Sequence, residues 1–193
     1  MALKIFAMKL FMLLLGSLPE GRYTEQHDIF FGIAESLREL VPSIIAAWPE
    51  AKGKIHIDAW REVSYVDQYA VDVFDKRQLS ADAAREKARL FFLNLGGYKK
   101  NEFEEYHYKM LVACENRAVA IQRAKATAFY KHTGFKGATS HIDDKYGIDV
   151  DDVFEIEDIL PGSVKEKYSI VLSPTDNTTQ DEVNLGYFRL EKL

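Results

Sequence analysis

Two matched sets of acidic and histidine side chains are the residues best suited to chemistry. They are Glu25, His27, His56 and Asp58, and then Glu105, His107, His141 and Asp143. Imidazole and carboxylate groups are common ligands of zinc, iron and manganese, and they also serve as general acids and bases. The same groups equally fit a structural role, as helix-dipole partners or cross-strand pairs. A structural role, a binding or acid–base site and a metal site therefore all stay open.

The two sets belong to a longer internal repeat. Between residues 9 and 27, seven of nineteen positions recur identically at an offset of 80, among them Gly16 as Gly96. The tripeptide His56-Ile57-Asp58 recurs as 141–143, at an offset of 85. Such similarity predicts a duplicated structural unit, and two copies predict a pseudo-twofold, single-chain version of a homodimer.

Each unit is predicted to be β-α-β-β. The apolar run Leu10–Leu15 favours a central strand, and the apolar spacing from Ile29 to Leu40 favours a helix that begins near Thr24 and ends or kinks at Pro42. Residues 54–63 and 65–74 favour two further strands. In the second unit the predicted helix spans about 102–131. A right-handed crossover would make the first two strands of each unit parallel.

This arrangement predicts where the polar side chains point. Two positions apart on a helix, Glu25 and His27 would not face the same way. On the following strand, His56, Asp58 and Trp60 would share the sheet face opposite the helix. A four-ligand site within one unit is therefore not expected, and a site between the repeats, with His56 and His141 facing each other, is favoured.

The predicted fold class is α+β (mixed α/β), with two tandem βαββ repeats packed as a pseudo-twofold dimer and a C-terminal β-hairpin. The first repeat spans 8–75, a linker spans 76–88, the second repeat spans 89–160, and the hairpin extension spans 161–193. The hairpin strands are predicted at about 168–172 and 182–190, around the turn at 174–179.

Composition narrows the function classes. The chain has 193 residues, 47% hydrophobic and 28% charged, with a net charge of −5, which is typical of a globular protein and unlike a basic nucleic-acid binder. The lone Cys114 excludes an internal disulfide and a cysteine-based zinc site, and is interpreted as a buried apolar residue. No GxGxxG, Walker or GxSxG pattern is present.

The N-terminal segment 1–17 resembles a secretory signal, but its apolar run recurs in the middle of the chain and is too short to span a membrane. We therefore interpret it as a strand, with residues 1–7 as an extension, and expect a cytoplasmic protein without a membrane partner.

The segments LFMLLLG, TEQHDIFFGIAES and KIHIDAWREV resemble a bacterial family known as domain of unknown function fifteen-forty-three. The resemblance covers roughly Lys9–Phe74, and its motif is filled by Glu25, His27, Asp28, His56, Ile57 and Asp58. The second copy is looser, because Tyr108 stands where the first has Asp28. The resemblance implies a small bacterial protein and no established activity, substrate or cofactor.

The favoured hypothesis is a non-catalytic binding or interaction module whose partner is a small molecule or a protein. The alternative is a metal-dependent or acid–base enzyme acting on a small molecule, with its site between the repeats. Whether the protein is an enzyme and whether it forms a homo-oligomer stay open. No cofactor is firmly implied, and a divalent metal is the one cofactor that the residue types would suit.

Overall fold

The computed structural model describes residues 8–79, 88–127, 141–142, 153–177 and 179–193. Two compact units make up the chain: Met1–Ala84 with Leu160–Leu193, and Arg85–Ile159. Antiparallel sheets and four helices in the described ranges confirm the α+β class. In chain order the elements are β1 (Lys9–Ser17), β2 (Gln26–Ala34), α1 (Leu37–Ala47), β3 (His56–Glu62), β4 (Tyr65–Val66), β5 (Tyr69–Asp75), β6 (Arg89–Tyr98), β7 (Glu105–Cys114), α2 (Arg117–Lys125), β8 (His141–Ile142), β9 (Val153–Glu155), α3 (Ile156–Ile159), α4 (Gly162–Lys167), β10 (Tyr168–Pro174) and β11 (Asn184–Arg189).

The main sheet of the first unit has the strand order β11-β3-β1-β2, and all its pairs are antiparallel. Strand β1 pairs with β2 through a hairpin and with β3 on its other side. The predicted βαββ unit with parallel strands is therefore wrong. The helix comes after the hairpin, so the first unit begins β-β-α-β.

Residues 26–34 explain the error. Their apolar positions fit helical spacing, but the run Ile29-Phe30-Phe31 is β-branched and aromatic, and short apolar runs do not distinguish helix from strand. Pairing with all nine residues of β1 stabilises this segment as a strand and not as a helix. The same holds for β7 in the second unit, where a helix from residue 102 was predicted.

Helix α1 begins after Ser36 and continues through Pro42 to Ala47. The sequence prediction, a helix that begins near Thr24 and ends or kinks at Pro42, therefore misplaces this element. One face of the sheet packs on α1 and forms the core of the first unit. The buried members include Leu13, Leu15, Phe30, Leu40, Ile44 and Ile57. Strand alternation then leaves the even-numbered residues of β1, such as Gly16, on the opposite face.

The C-terminal strands do not form a hairpin, contrary to the sequence prediction. Strand β10 pairs with β5 in the three-stranded sheet β10-β5-β4, whereas β11 pairs with β3 in the main sheet. The two strands therefore lie in different sheets of the first unit and not side by side. The strand predicted at 65–74 is divided by a turn in which Asp67 has φ 55°.

The second unit has its own sheet and core. Strand β6 lies between β7 and β8 and also pairs with β9, and Leu93, Leu95 and Val112 are buried beneath α2. Cys114 is buried there, as predicted. Residues 128–140 and 143–152, which include the predicted end of the long helix at about 131 and Asp143, lie outside the described residues. No helix in the described ranges is long and apolar enough to cross a membrane.

We expect Leu13→Ala to lower the free energy of unfolding by about 2–5 kcal/mol, because it removes a fully buried side chain from the centre of the α1 core. Urea denaturation followed by circular dichroism measures the change. Tyr23→Ala, at a fully exposed loop position, is the control and should change stability by less than about 0.5 kcal/mol. Equal effects of the two substitutions would contradict this assignment of the core.

Candidate functional site

Gly16 lies at the centre of the candidate site. In the main sheet it is paired with His27 of β2 on one side and with His56 of β3 on the other. Directly opposed residues of antiparallel strands project from the same face. The two imidazoles therefore flank Gly16 on the sheet face away from α1.

A β-bulge adds Asp58 to this face. Leu14 pairs with Ala59 and Leu15 pairs with Ile57, which leaves Asp58 as the extra residue of β3. A bulge re-aims the side chains that follow it. Ile57 and Trp60 both pack on the α1 core as a result, so the prediction that Trp60 shares a face with His56 and Asp58 is wrong.

Each of two carboxylates spans both imidazoles, with one oxygen directed to each ring. Asp58 places Oδ1 3.1 Å from Nε2 of His56 and Oδ2 3.2 Å from Nε2 of His27. Glu25, at the entry to β2, places Oε1 3.1 Å from Nε2 of His56 and Oε2 3.7 Å from Nε2 of His27. The four side chains thus form one compact cluster, which we call the Gly16 cluster.

The Gly16 cluster has a buried half and an accessible half. The side chain of His56 is 8% exposed and that of Asp58 is 25% exposed, whereas those of Glu25 and His27 are 45% and 44% exposed. Nε2 of His56 and Oδ2 of Asp58 are buried and make no hydrogen bond within the described part of the chain. His56 and Asp58 therefore form the buried base of the cluster, and Glu25 and His27 form its solvent-facing side.

The cluster needs a glycine at its base. A Cβ atom at Gly16 would lie 2.4 Å from Nε2 of His56 and 2.5 Å from Oδ2 of Asp58, which is closer than real Cβ contacts. Any side chain at this position would displace the two buried members of the cluster. Sequence reasoning had treated Gly16 only as the end of a strand, although its recurrence as Gly96 was a signal.

Tyr187 covers His56 from the neighbouring strand. The two rings stack with centroids 4.1 Å apart and an interplanar angle of 28°. The pairing of β11 with β3 is irregular between Leu185 and Phe188, and Gly186 there has φ 156°, a conformation that L side chains rarely adopt. Nothing in the sequence pattern marked Tyr187, because its strand was expected in a separate hairpin.

The first predicted set of residues therefore meets within one unit. The predicted placement of Glu25 and His27 on a helix, facing different ways, was wrong, because both lie on extended chain and both approach His56 and Asp58. Among the described residues, no group of three or more His, Cys, Asp or Glu side chains has an arrangement that could hold a metal ion.

The second set is described only in part. His107 of β7 and His141 of β8 both pair with Gly96, the same register that His27 and His56 have with Gly16. The side chain of His141 and the whole of Asp143 lie outside the described residues. Nearby, the Glu102 carboxylate accepts a hydrogen bond from the Tyr106 hydroxyl and raises the pKa of Tyr106 to about 12. Any role for Glu105, His107, His141 and Asp143 stays a prediction.

Comparison with known proteins finds a family model that matches the segment carrying the Gly16 cluster. Residues 22–73 match the sequence profile described as Domain of Unknown Function (DUF1543). The resemblance expected from the sequence is confirmed for this DUF1543 segment, which contains all four polar residues of the cluster. No curated protein matches the chain.

A solved structure supports the fold. The chain is similar to the protein described as "Crystal structure of a protein Il1583 from Idiomarina loihiensis", with 21% identity and a TM-score of 0.57. The match covers 95% of this chain and 97% of that one. At this identity the likeness concerns the fold alone.

We expect Gly16→Ala to disrupt the Gly16 cluster, because the added methyl group collides with His56 and Asp58. Imidazole NMR signals of His27 and His56 should shift relative to those of the parent protein, and the free energy of unfolding should fall by about 1–3 kcal/mol from overpacking. Gly162→Ala is the control, since nothing lies within 4 Å of the added atom. Unchanged histidine signals in Gly16→Ala would contradict the described geometry.

Proposed function

We propose that the protein is a binding module that holds a small cation at the Gly16 cluster of its first unit. The observation that carries the proposal is the convergence of two carboxylates on the same two imidazoles. Within the described residues, neither Glu25 nor Asp58 forms an ion pair with a lysine or arginine. The cluster therefore lacks the usual partner of a carboxylate pair.

Electrostatics favours a positive occupant. When both imidazoles are neutral, Glu25 and Asp58 give the cluster two negative charges. Asp58 is three-quarters buried, and attraction between charges strengthens where solvent screens less. The half-exposed Glu25 and His27 leave a path by which a small ion can enter.

The surroundings support binding over nucleophilic catalysis. Ser17, next to Gly16, is buried on the α1 face and donates its hydroxyl hydrogen bond to the Lys54 carbonyl oxygen at 2.7 Å. Cys114 belongs to the other unit. The Ser17 hydroxyl is therefore engaged, Cys114 is not part of the unit that holds the cluster, and the cluster itself offers carboxylates and imidazoles.

An acid–base enzyme is the second candidate, and the short distance between His56 and Asp58 favours it. An imidazole beside a carboxylate is a common general base. Turnover of a small ester or phosphoester that disappears in His56→Gln would support this candidate, whereas cation binding without such turnover supports the binding module.

We also infer that the two units descend from one duplicated unit. Support comes from the seven identities at an offset of 80 and from the shared pairing of two histidines with a glycine in each unit. The packing of the units as a pseudodimer, the bacterial and cytoplasmic setting, the lack of a nucleic-acid partner and the formation of homo-oligomers stay predictions.

We expect at least one cation from a panel of tetramethylammonium, guanidinium, Mg²⁺ and Zn²⁺ to raise the unfolding temperature of the full chain. Glu25→Gln and Asp58→Asn should each weaken that binding at least about tenfold, because an interaction with a charged group contributes about 1.5–3 kcal/mol. Isothermal titration calorimetry measures the affinities.

Asp28→Asn is the matched control for the same charge change. Asp28 is exposed on β2 and is paired with Leu15, whose side chain is in the α1 core, so its carboxylate projects away from the Gly16 cluster. The cation affinity of Asp28→Asn should equal that of the parent protein. Binding that is insensitive to Glu25→Gln and Asp58→Asn, or a panel without any bound cation, would refute the proposed function.

A further inference from the structure

We propose that the cation is a divalent transition metal of the zinc class, bound by His27, His56, Glu25 and Asp58; this rests on the proposed function. The donor set gives the first argument. Imidazole nitrogen suits Zn²⁺, Co²⁺ and Mn²⁺, whereas Mg²⁺ and Ca²⁺ prefer sites made of oxygen alone. An organic cation would be recognised by carboxylates or aromatic faces and would gain little from two Nε2 atoms.

The distances give the second argument. In a tetrahedral zinc site with bonds of about 2.0–2.1 Å, neighbouring donor atoms are about 3.3–3.4 Å apart. The four nitrogen–oxygen separations in the Gly16 cluster are 3.1, 3.1, 3.2 and 3.7 Å. These separations are close to that length, but each carboxylate turns a different oxygen to each ring, so the four side chains form one tetrahedral set of donors only if the carboxylates reorient.

The orientation of His56 gives the third argument. Its Nε2 is within 3.1 Å of two carboxylate oxygens, yet it makes a hydrogen bond to neither. Nε2 of His56 is thus a buried nitrogen without a hydrogen-bond partner among the described residues, and it lies between two carboxylate oxygens. A metal ion between the three atoms would supply that partner, and the His56 side chain is more than nine-tenths buried and aimed into the cluster.

The described arrangement is not itself a finished coordination sphere. His56 and Asp58 are held by the sheet, the bulge and the stacked Tyr187, so they form the fixed half of the proposed site. Glu25 and His27 are nearly half exposed and can rotate. Metal binding is therefore coupled to a movement of Glu25 and His27 towards His56 and Asp58.

The test is calorimetric titration of the full chain, without a histidine tag, with Zn²⁺, Co²⁺, Mg²⁺ and tetramethylammonium separately. We expect Zn²⁺ and Co²⁺ to bind, and Co²⁺ to give the intense visible absorption of a tetrahedral complex with nitrogen and oxygen ligands. Mg²⁺ and tetramethylammonium should bind far more weakly.

Variants assign the metal to this cluster. His27→Gln and His56→Gln should each weaken the Zn²⁺ affinity at least about tenfold, since even outer-shell partners of a metal contribute 10–100-fold. The exposed His27 keeps the test valid if His56→Gln fails to fold, and Asp28→Asn should bind like the parent protein. If the second unit also binds zinc, the variants remove one equivalent of the metal and leave the rest.

Three outcomes oppose the proposal. Zinc binding that is unchanged in His27→Gln and Glu25→Gln would place the metal elsewhere and overturn it. Binding of tetramethylammonium that depends on Glu25 and Asp58, without zinc binding, would overturn the metal and leave the proposed cation module standing. Failure of every cation to bind would refute both.

Discussion

The missing side chain of Gly16 is the constraint on which the first unit depends. Two neighbouring strands bring His27 and His56 to this position, and the bulge in β3 adds Asp58. The space above the glycine is filled by His56 and Asp58 at distances that no Cβ could share. Backbone pairing, the bulge and the side-chain cluster therefore have to be compatible at a single residue.

The parts of the fold that follow from local pattern were predictable. The apolar run at Leu10–Leu15 specifies a buried strand whichever partner it takes, and residues 54–63 alternate clearly enough to indicate β3. The α+β class follows from these strands and from a predicted helix that ends or kinks at Pro42, although the helix of the structure spans Leu37–Ala47. What could not be predicted was the choice between helix and strand at residues 26–34, because that depended on pairing with β1 and not on local preference.

The candidate site, too, could be predicted from the sequence only in part. Residue type and repetition were enough to select Glu25, His27, His56 and Asp58. Their convergence within one unit was not predictable, because it depends on an extended β2 and on the bulge at Asp58. The bulge shifts the register of β3 by one residue and turns Trp60 to the opposite face of the sheet. Tyr187 could not be predicted for another reason. Its contact with His56 joins two segments that are distant along the chain, and neither sequence pattern indicates that the two segments meet.

The position of β11 has a consequence for the order in which the protein is made. Strand β3 has β1 on one side, but its other edge has to wait for residues 184–189, which are translated after the whole of the second unit. During synthesis that open edge presents unpaired backbone groups, the kind of surface through which nascent chains associate wrongly. The second unit is a continuous stretch of chain, and its described strands are translated before then. The first unit is thus started before the second unit and closed after it, and the stacking of Tyr187 on His56 forms only at that late step.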